Sequence, residues 1–193
     1  MTFKQELGSW MSPKILTTSP VPEINSKAPS DSKLPLPPSN GKPTIVTFLR
    51  HCGCPFAEKT FLSLRSLAAE DSSKNYIAVS HSSSSATQNW LSSLDGAGKV
   101  QVIVDDTREL YAAWGLGVSS TWHVLNPWSL YSVYTLGKKE GIWNKPTESG
   151  SRWQTSGSFA VDGQGKVKWV KVPKAADEVP DFGEATEEVG GQA

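Results

Sequence analysis

Apolar and polar positions divide the chain sharply near residue 44. The run "TIVTFL" at 44–49 is β-branched and apolar, which predicts a buried strand. "PFAEKTFLSLRSLAAE" follows at 55–70. Its apolar positions Phe56, Phe61, Leu64 and Leu67 recur at helical spacing, and Pro55 suits a first helical position. "YIAVS" at 76–80 predicts a second strand and "SATQNWLSSL" at 85–94 a second helix, with Ser85 as its cap. "VQVIV" at 100–104 predicts a third strand, and "DDTRELYAAWGLG" at 105–117 a capped helix closed by glycine. An irregular, tryptophan-rich region is expected over 118–155. "GSFAVDGQGKVKWVKV" at 157–172 predicts a hairpin around Asp162-Gly163-Gln164-Gly165.

Strands that alternate with helices imply right-handed crossovers and a mostly parallel sheet covered on both faces; the hairpin adds antiparallel strands. The fold class is therefore α/β, a central mixed β-sheet flanked by helices. Before it, residues 13–43 hold eight of the thirteen prolines, so that stretch is read as an extended arm. "FKQELGSWM" ahead of the arm is read either as one or two helical turns or as a disordered end. Residues 175–193 carry six acidic and no basic side chains, read as a solvated helix or a disordered tail. The organisation is an arm (1–43), one domain (44–174) with an aromatic-rich insertion, and an acidic tail (175–193).

Charge narrows the function. Nineteen basic residues balance nineteen acidic ones, which argues against a nucleic-acid binder and against a polybasic membrane anchor. Two cysteines are too few for a disulfide-built secreted scaffold. Nothing at the N-terminus reads as a signal peptide, and no stretch has the roughly 20 apolar residues of a spanning helix. A reducing, cytoplasmic setting is the expectation, and there a close cysteine pair more often does chemistry than structure.

That pair is Cys52 and Cys54 in "FLRHCGCPFAEKT". Ligands in open α/β sheets gather at the carboxyl ends of strands, and both cysteines lie just past the first one. Cys54 also precedes the helix that starts near Pro55. There the free backbone N–H groups and the positive end of the helix dipole favour the nucleophilic thiolate. The reading requires that sulfur to sit at the mouth of the helix and to be reachable. His51 and His81 follow the ends of two strands expected to be neighbours. As imidazolium either would stabilise a thiolate; neutral, it could accept the thiol proton. The alternative is two ordinary turn histidines. Cys52, Cys54, His51 and His81 together offer four metal donors, but their spacing fits no common zinc pattern, and no metal or cofactor is expected.

The segment "VTFLRHCGCPFAEKTFLSL" resembles the active-site segment of the thioredoxin fold, and more specifically that of peroxiredoxin-like antioxidant proteins of the AhpC/TSA type. "IAVSHSSSSATQNWL", "DDTRELYAAWGL" and "SGSFAVDGQGKVKWV" resemble that group's following strand and crossover, its Asp-containing helix and its closing hairpin. The resemblance covers about residues 27–172. It implies a thioredoxin-like fold and a thiol-dependent oxidoreductase in which Cys54, at the Cys-Pro position, attacks a peroxide or other electrophile. A homodimer and a thioredoxin or glutathione reductant fit the same family. The chain also departs from the pattern. Ala57 stands where Cys-x-x-Cys needs its second cysteine, and His51 stands where peroxiredoxins carry Thr or Ser. For the family's arginine over the sulfur, Arg152 is the candidate by chain order and Arg50 by nearness. Cys52 could act as a resolving thiol.

Five of eight tryptophans lie between 114 and 153. A second hypothesis follows: an enzyme of specialised metabolism that holds an aromatic or lipid-like substrate in a pocket of Trp122, Trp128 and Trp153 beside Pro55 and Phe56. His51, His81, His123 or Arg152 would then do acid–base work. The plainer reading is a satellite core under a long insertion. A binding module without chemistry is the third hypothesis.

Overall fold

In the computed structural model, which describes residues 3–119 and 127–190, five strands form one sheet in the order β3-β2-β1-β4-β5. β1 is Thr44–Phe48, β2 Asn75–Ser80, β3 Gln101–Val104, β4 Gly157–Val161 and β5 Val167–Lys171. β1 runs parallel to β2, and β2 to β3, whereas β4 is antiparallel to β1 and β5 to β4. The sequence order therefore yields the expected mixed sheet with its closing hairpin. The register Thr44↔Val161 to Phe48↔Gly157 places the hairpin beside the first strand.

Side chains alternate between two cores. Ile45, Tyr76, Ala78 and Ala160 face one side, and α2 (Pro55–Glu70) covers them with Phe61, Leu64 and Ala68. Val46, Phe48, Ile77, Val79, Phe159 and Val161 face the other, where Leu110, Tyr111 and Trp114 pack. Each fully buried side chain of this size stabilises the fold by about 1.5–3 kcal/mol relative to exposure. The proline-rich arm wraps the second face: Ala28, Leu34 and Leu36 are buried in that core. Its backbone bonds to β5, with Asn25 N donating to Val167 O (2.7 Å) and Val167 N to Ser26 O (2.9 Å). The chain start is helical, α1 spanning Phe3–Trp10.

Several local expectations shift. α3 runs Ser84–Ser92, and its cap is Ser83, which accepts from Ala86 N, rather than Ser85. α4 is only Glu109–Ala113. Asp105 caps it from a distance, its Oδ2 accepting from the N–H groups of Leu110 (2.9 Å) and Tyr111 (3.3 Å). The stretch read as irregular over 118–155 contains a helix, α5 (Pro127–Glu140). Its Val133 and Leu136 pack against the core that holds α2, and Gly141 at φ 72° ends it. Aromatic and β-branched residues with low helix propensity hid it; packing overrides that preference. The acidic tail likewise forms α6 (Phe182–Gly190). It is not simply solvated, because Phe182, Ala185 and Val189 recur on one face and bury in the α2-side core. Among the described residues no helix is long and apolar enough to cross a membrane.

Candidate functional site

β1 ends at Phe48, and the chain turns through 49–53 before Pro55 opens α2. Cys54 is the N-cap, in extended conformation (φ −79°, ψ 126°). Its N–H donates to His51 O (2.9 Å), and its carbonyl accepts the first bond of the helix from Glu58 N (3.1 Å). The sulfur thus sits at the mouth of α2. It is not reachable from solvent in this conformation: Cys54 is 3 % exposed, packed among Phe56, Ala57 and Leu49. Among the described residues, the hydrogen-bond partner of the sulfur is Arg50, whose Nη1 lies 3.7 Å from Sγ. Positive charge there complements a thiolate.

Of the two arginine candidates, Arg50 meets the sulfur directly and Arg152 stands one step behind. Arg50 Nη2 donates to the Arg152 carbonyl (2.7 Å). The Arg152 side chain turns the other way, onto α1: Nη2 pairs with Glu6 Oε1 (2.5 Å), Nε donates to Ser9 Oγ (3.1 Å), and the guanidinium lies 4.7 Å from the Trp10 ring centre. Arg50 Nε is buried without a hydrogen-bond partner among the described residues. Arg50 also lines a cavity of about 10 Å³ with Thr47, Phe56, Thr60 and Ser158, room for about one water molecule.

Both histidines are buried and held neutral. Burial, then the charges of Arg50 and Arg152, pushes His51 well below its ordinary value. Its Nδ1 shares a hydrogen bond with Thr147 Oγ1 (2.9 Å). Burial lowers His81 to about 4, although its hydrogen bond to the Ser151 backbone opposes the shift. Its Nε2 meets Ser151 N and O, each at 3.1 Å, and its ring packs edge-on against Tyr111. Neither ring carries the imidazolium that a charged partner for the sulfur would need at neutral pH.

Cys52 points elsewhere. Its sulfur lies 3.6 Å from Ser80 Oγ and 3.9 Å from Thr87 Oγ1. It borders a cleft of about 170 Å³ with Trp90, Asn89, Lys145 and Glu148. Burial raises this thiol, against the lowering effect of its Ser82, Ser80 and Thr87 hydrogen bonds. Both cysteines are free.

Pro55 and Phe56 begin α2, and both are buried beside Cys54. The described tryptophans do not share a cavity. Trp128 is 77 % exposed, Trp114 is fully buried on the opposite sheet face, and Trp153 packs on Trp10 and donates from Nε1 to Trp10 O. Trp122 and His123 lie outside the described residues.

Sequence reading missed Glu6, Ser9 and Thr147. Glu6 Oε2 accepts from Thr147 N (2.6 Å) while Oε1 holds Arg152. The 145–147 segment presses on Gly53: Lys145 N donates to Gly53 O (2.9 Å), and a Cβ at Gly53 would lie 2.6 Å from Thr147 Oγ1. Only the glycine between the cysteines hints at such close approach.

Comparisons with known proteins agree with this frame. No curated protein matches. Solved structures share the fold at low identity. A peroxiredoxin-like protein from Aquifex aeolicus superposes with TM-score 0.60 at 14% identity, covering 91% of each chain. A thiol peroxidase from Chromobacterium violaceum gives 0.58 at 12%, covering 90% of this chain and 89% of its own. Mycobacterium tuberculosis AhpC gives 0.53 at 18%, covering 89% and 98%. The family model described as AhpC/TSA antioxidant enzyme matches residues 63–174, over half of the chain, from within α2 to just past the hairpin. The match begins beyond both cysteines, so it rests on the frame rather than on the thiols. On that frame, the chain belongs to the AhpC/TSA antioxidant enzyme family.

Proposed function

We propose that the protein is a thiol peroxidase whose attacking sulfur is Cys54, which peroxide reaches only when the side chains packed over the sulfur open. The observation that carries this reading is the Arg50 guanidinium 3.7 Å from a cysteine sulfur at the N-cap of α2. The thiolate attacks one peroxide oxygen, the O–O bond breaks, and Cys54 becomes a sulfenic acid while the other oxygen leaves as alkoxide or hydroxide and is protonated. One external thiol condenses with the sulfenic acid, releasing water and forming a mixed disulfide; a second thiol releases Cys54 and leaves as disulfide.

Tight packing around the sulfur favours hydrogen peroxide or a slim hydroperoxide over a bulky lipid. An external thiol is favoured over Cys52 because the Cys52 sulfur turns to Ser80 and Thr87 and its thiol is held protonated. The scattered tryptophans lend no support to an aromatic-substrate pocket. The test is peroxide consumption coupled to a glutathione or thioredoxin system, for the native protein and Cys54→Ser. Sulfenic acid at Cys54 by mass spectrometry and consumption abolished in Cys54→Ser is the expected result. Consumption no faster than that of the variant removes the proposal.

A further inference from the structure

We propose that Glu6, on the N-terminal helix, is a positioning residue for Cys54, so that α1 forms part of the reactive site. The inference rests on the reading of Cys54 as the reacting thiol.

Two short chains of contacts run from one carboxylate to the cysteine loop. Through Oε1, Glu6 pairs with Arg152 Nη2 (2.5 Å); the Arg152 carbonyl accepts from Arg50 Nη2 (2.7 Å); Arg50 Nη1 reaches Cys54 Sγ (3.7 Å). Through Oε2, Glu6 accepts from Thr147 N (2.6 Å); Thr147 Oγ1 shares a hydrogen bond with His51 Nδ1 (2.9 Å); the His51 carbonyl accepts from Cys54 N (2.9 Å). The helix is fastened to the same segment at further points. Arg152 N donates to Ser9 O (3.0 Å), Arg152 Nε to Ser9 Oγ, and Trp153 Nε1 to Trp10 O (2.9 Å).

The charges explain why a carboxylate is needed. Arg50 and Arg152 are both buried, at 6 % and 5 % exposure, and one donates to the other's carbonyl. A buried guanidinium needs a counter-charge. Glu6 is the acidic group bonded to Arg152. It holds that side chain on α1 while the Arg152 carbonyl accepts from Arg50. Arg50 is thus presented to the sulfur from a segment that α1 holds in place. An acidic residue 48 positions before the cysteine thereby sets the geometry of the positive group beside it.

A double-mutant cycle tests this in a Cys52→Ser background, so that Cys54 is the only thiol. The rate of Cys54 alkylation by a neutral reagent, iodoacetamide, is measured for the parent, Glu6→Gln, Arg50→Ala and the double variant, with a thermal melt for each. Glu6→Gln is expected to slow the parent by about tenfold, the scale of a lost charge-assisted hydrogen bond. In the Arg50→Ala background only the Thr147–His51 route remains, so the factor should shrink to about threefold or less. A purely structural role predicts the same factor in both backgrounds, and equal factors, or no change in either, overturn the proposal. Ser9→Ala, which removes the bonds of Ser9 Oγ to Arg152 Nε and to the Glu6 carbonyl, supplies a milder arm with the same non-additivity should Glu6→Gln not fold. Alkylation needs no peroxide. A parent inert to peroxide would therefore defeat the peroxidase reading while the cycle still decides the role of Glu6.

Discussion

Two sulfurs, separated by a single glycine, live in different surroundings. Cys54 lies at the mouth of a helix, walled by apolar side chains, with one guanidinium for company. Cys52 faces hydroxyl groups of Ser80 and Thr87 and borders an open cleft. The more accessible thiol is the one held protonated by its surroundings, and the enclosed thiol is the one beside positive charge. Exposure alone favours Cys52, whereas neighbouring positive charge favours Cys54. What separates them is direction: Gly53 turns the chain so that one side chain meets β2 and α3 and the next meets the start of α2.

The largest expected effect breaks the symmetry outright. Cys54→Ser should lower peroxide turnover by about 10³-fold or more, the scale of losing a nucleophile, while Cys52→Ser stays close to native. Equal losses in a coupled assay would mean the two sulfurs act as a pair. Next comes acid. His81 follows Ser80, the residue that touches Cys52, and is kept neutral with its value lowered to about 4. The unfolded chain binds that proton near pH 6.5 and the folded one does not, so stability is present above that range and is lost as pH falls towards 4. The loss should approach about 3 kcal/mol from this one residue, at 1.36 kcal/mol per unit. Denaturant melts against pH should show the decline, and His81→Gln should flatten it by one proton.

Gly53→Ala addresses the divider itself. A methyl group there meets Thr147 Oγ1 and the Lys145 carbonyl, so the 145–147 segment must shift. Chemical denaturation should report a loss of about 1–3 kcal/mol, typical of overpacking. The smallest effect concerns Cys52 alone. Because burial raises this thiol, its alkylation in a Cys54→Ser background should be slow at neutral pH and climb only above the ordinary thiol range. Ser80→Ala, by removing a lowering hydrogen bond, should push that climb slightly higher still. A fast reaction at pH 7 would erase the contrast between the two sulfurs.

Much of this frame was legible because it rests on local patterns. β1 and β2 are continuous apolar runs, and the apolar spacing of α2 is helical from Phe56 to Leu67. The Cys-Pro dipeptide marked the helix mouth for the same reason. The site's supporting groups were not legible. Glu6, Thr147 and the Arg152 carbonyl reach the cysteine loop only through tertiary folding, from segments with no periodicity. Chain order favoured Arg152 as the arginine near the sulfur, whereas the structure puts Arg50 there and turns Arg152 to Glu6. α5 escaped notice because its composition favours other conformations and only Val133 and Leu136 pack, half-buried, on the core; the packing of α6 escaped notice because its acidic composition masks the face of Phe182, Ala185 and Val189.

The arm's bonds to Val167 carry one more consequence. β5 is the last strand of the sheet, and such a strand offers a ready template for a neighbouring molecule. Asn25 and Ser26 already occupy both main-chain groups of Val167, so this stretch works as a built-in edge guard. A chain trimmed ahead of Ala28 would lay that ladder bare, and clumping at high concentration would betray it.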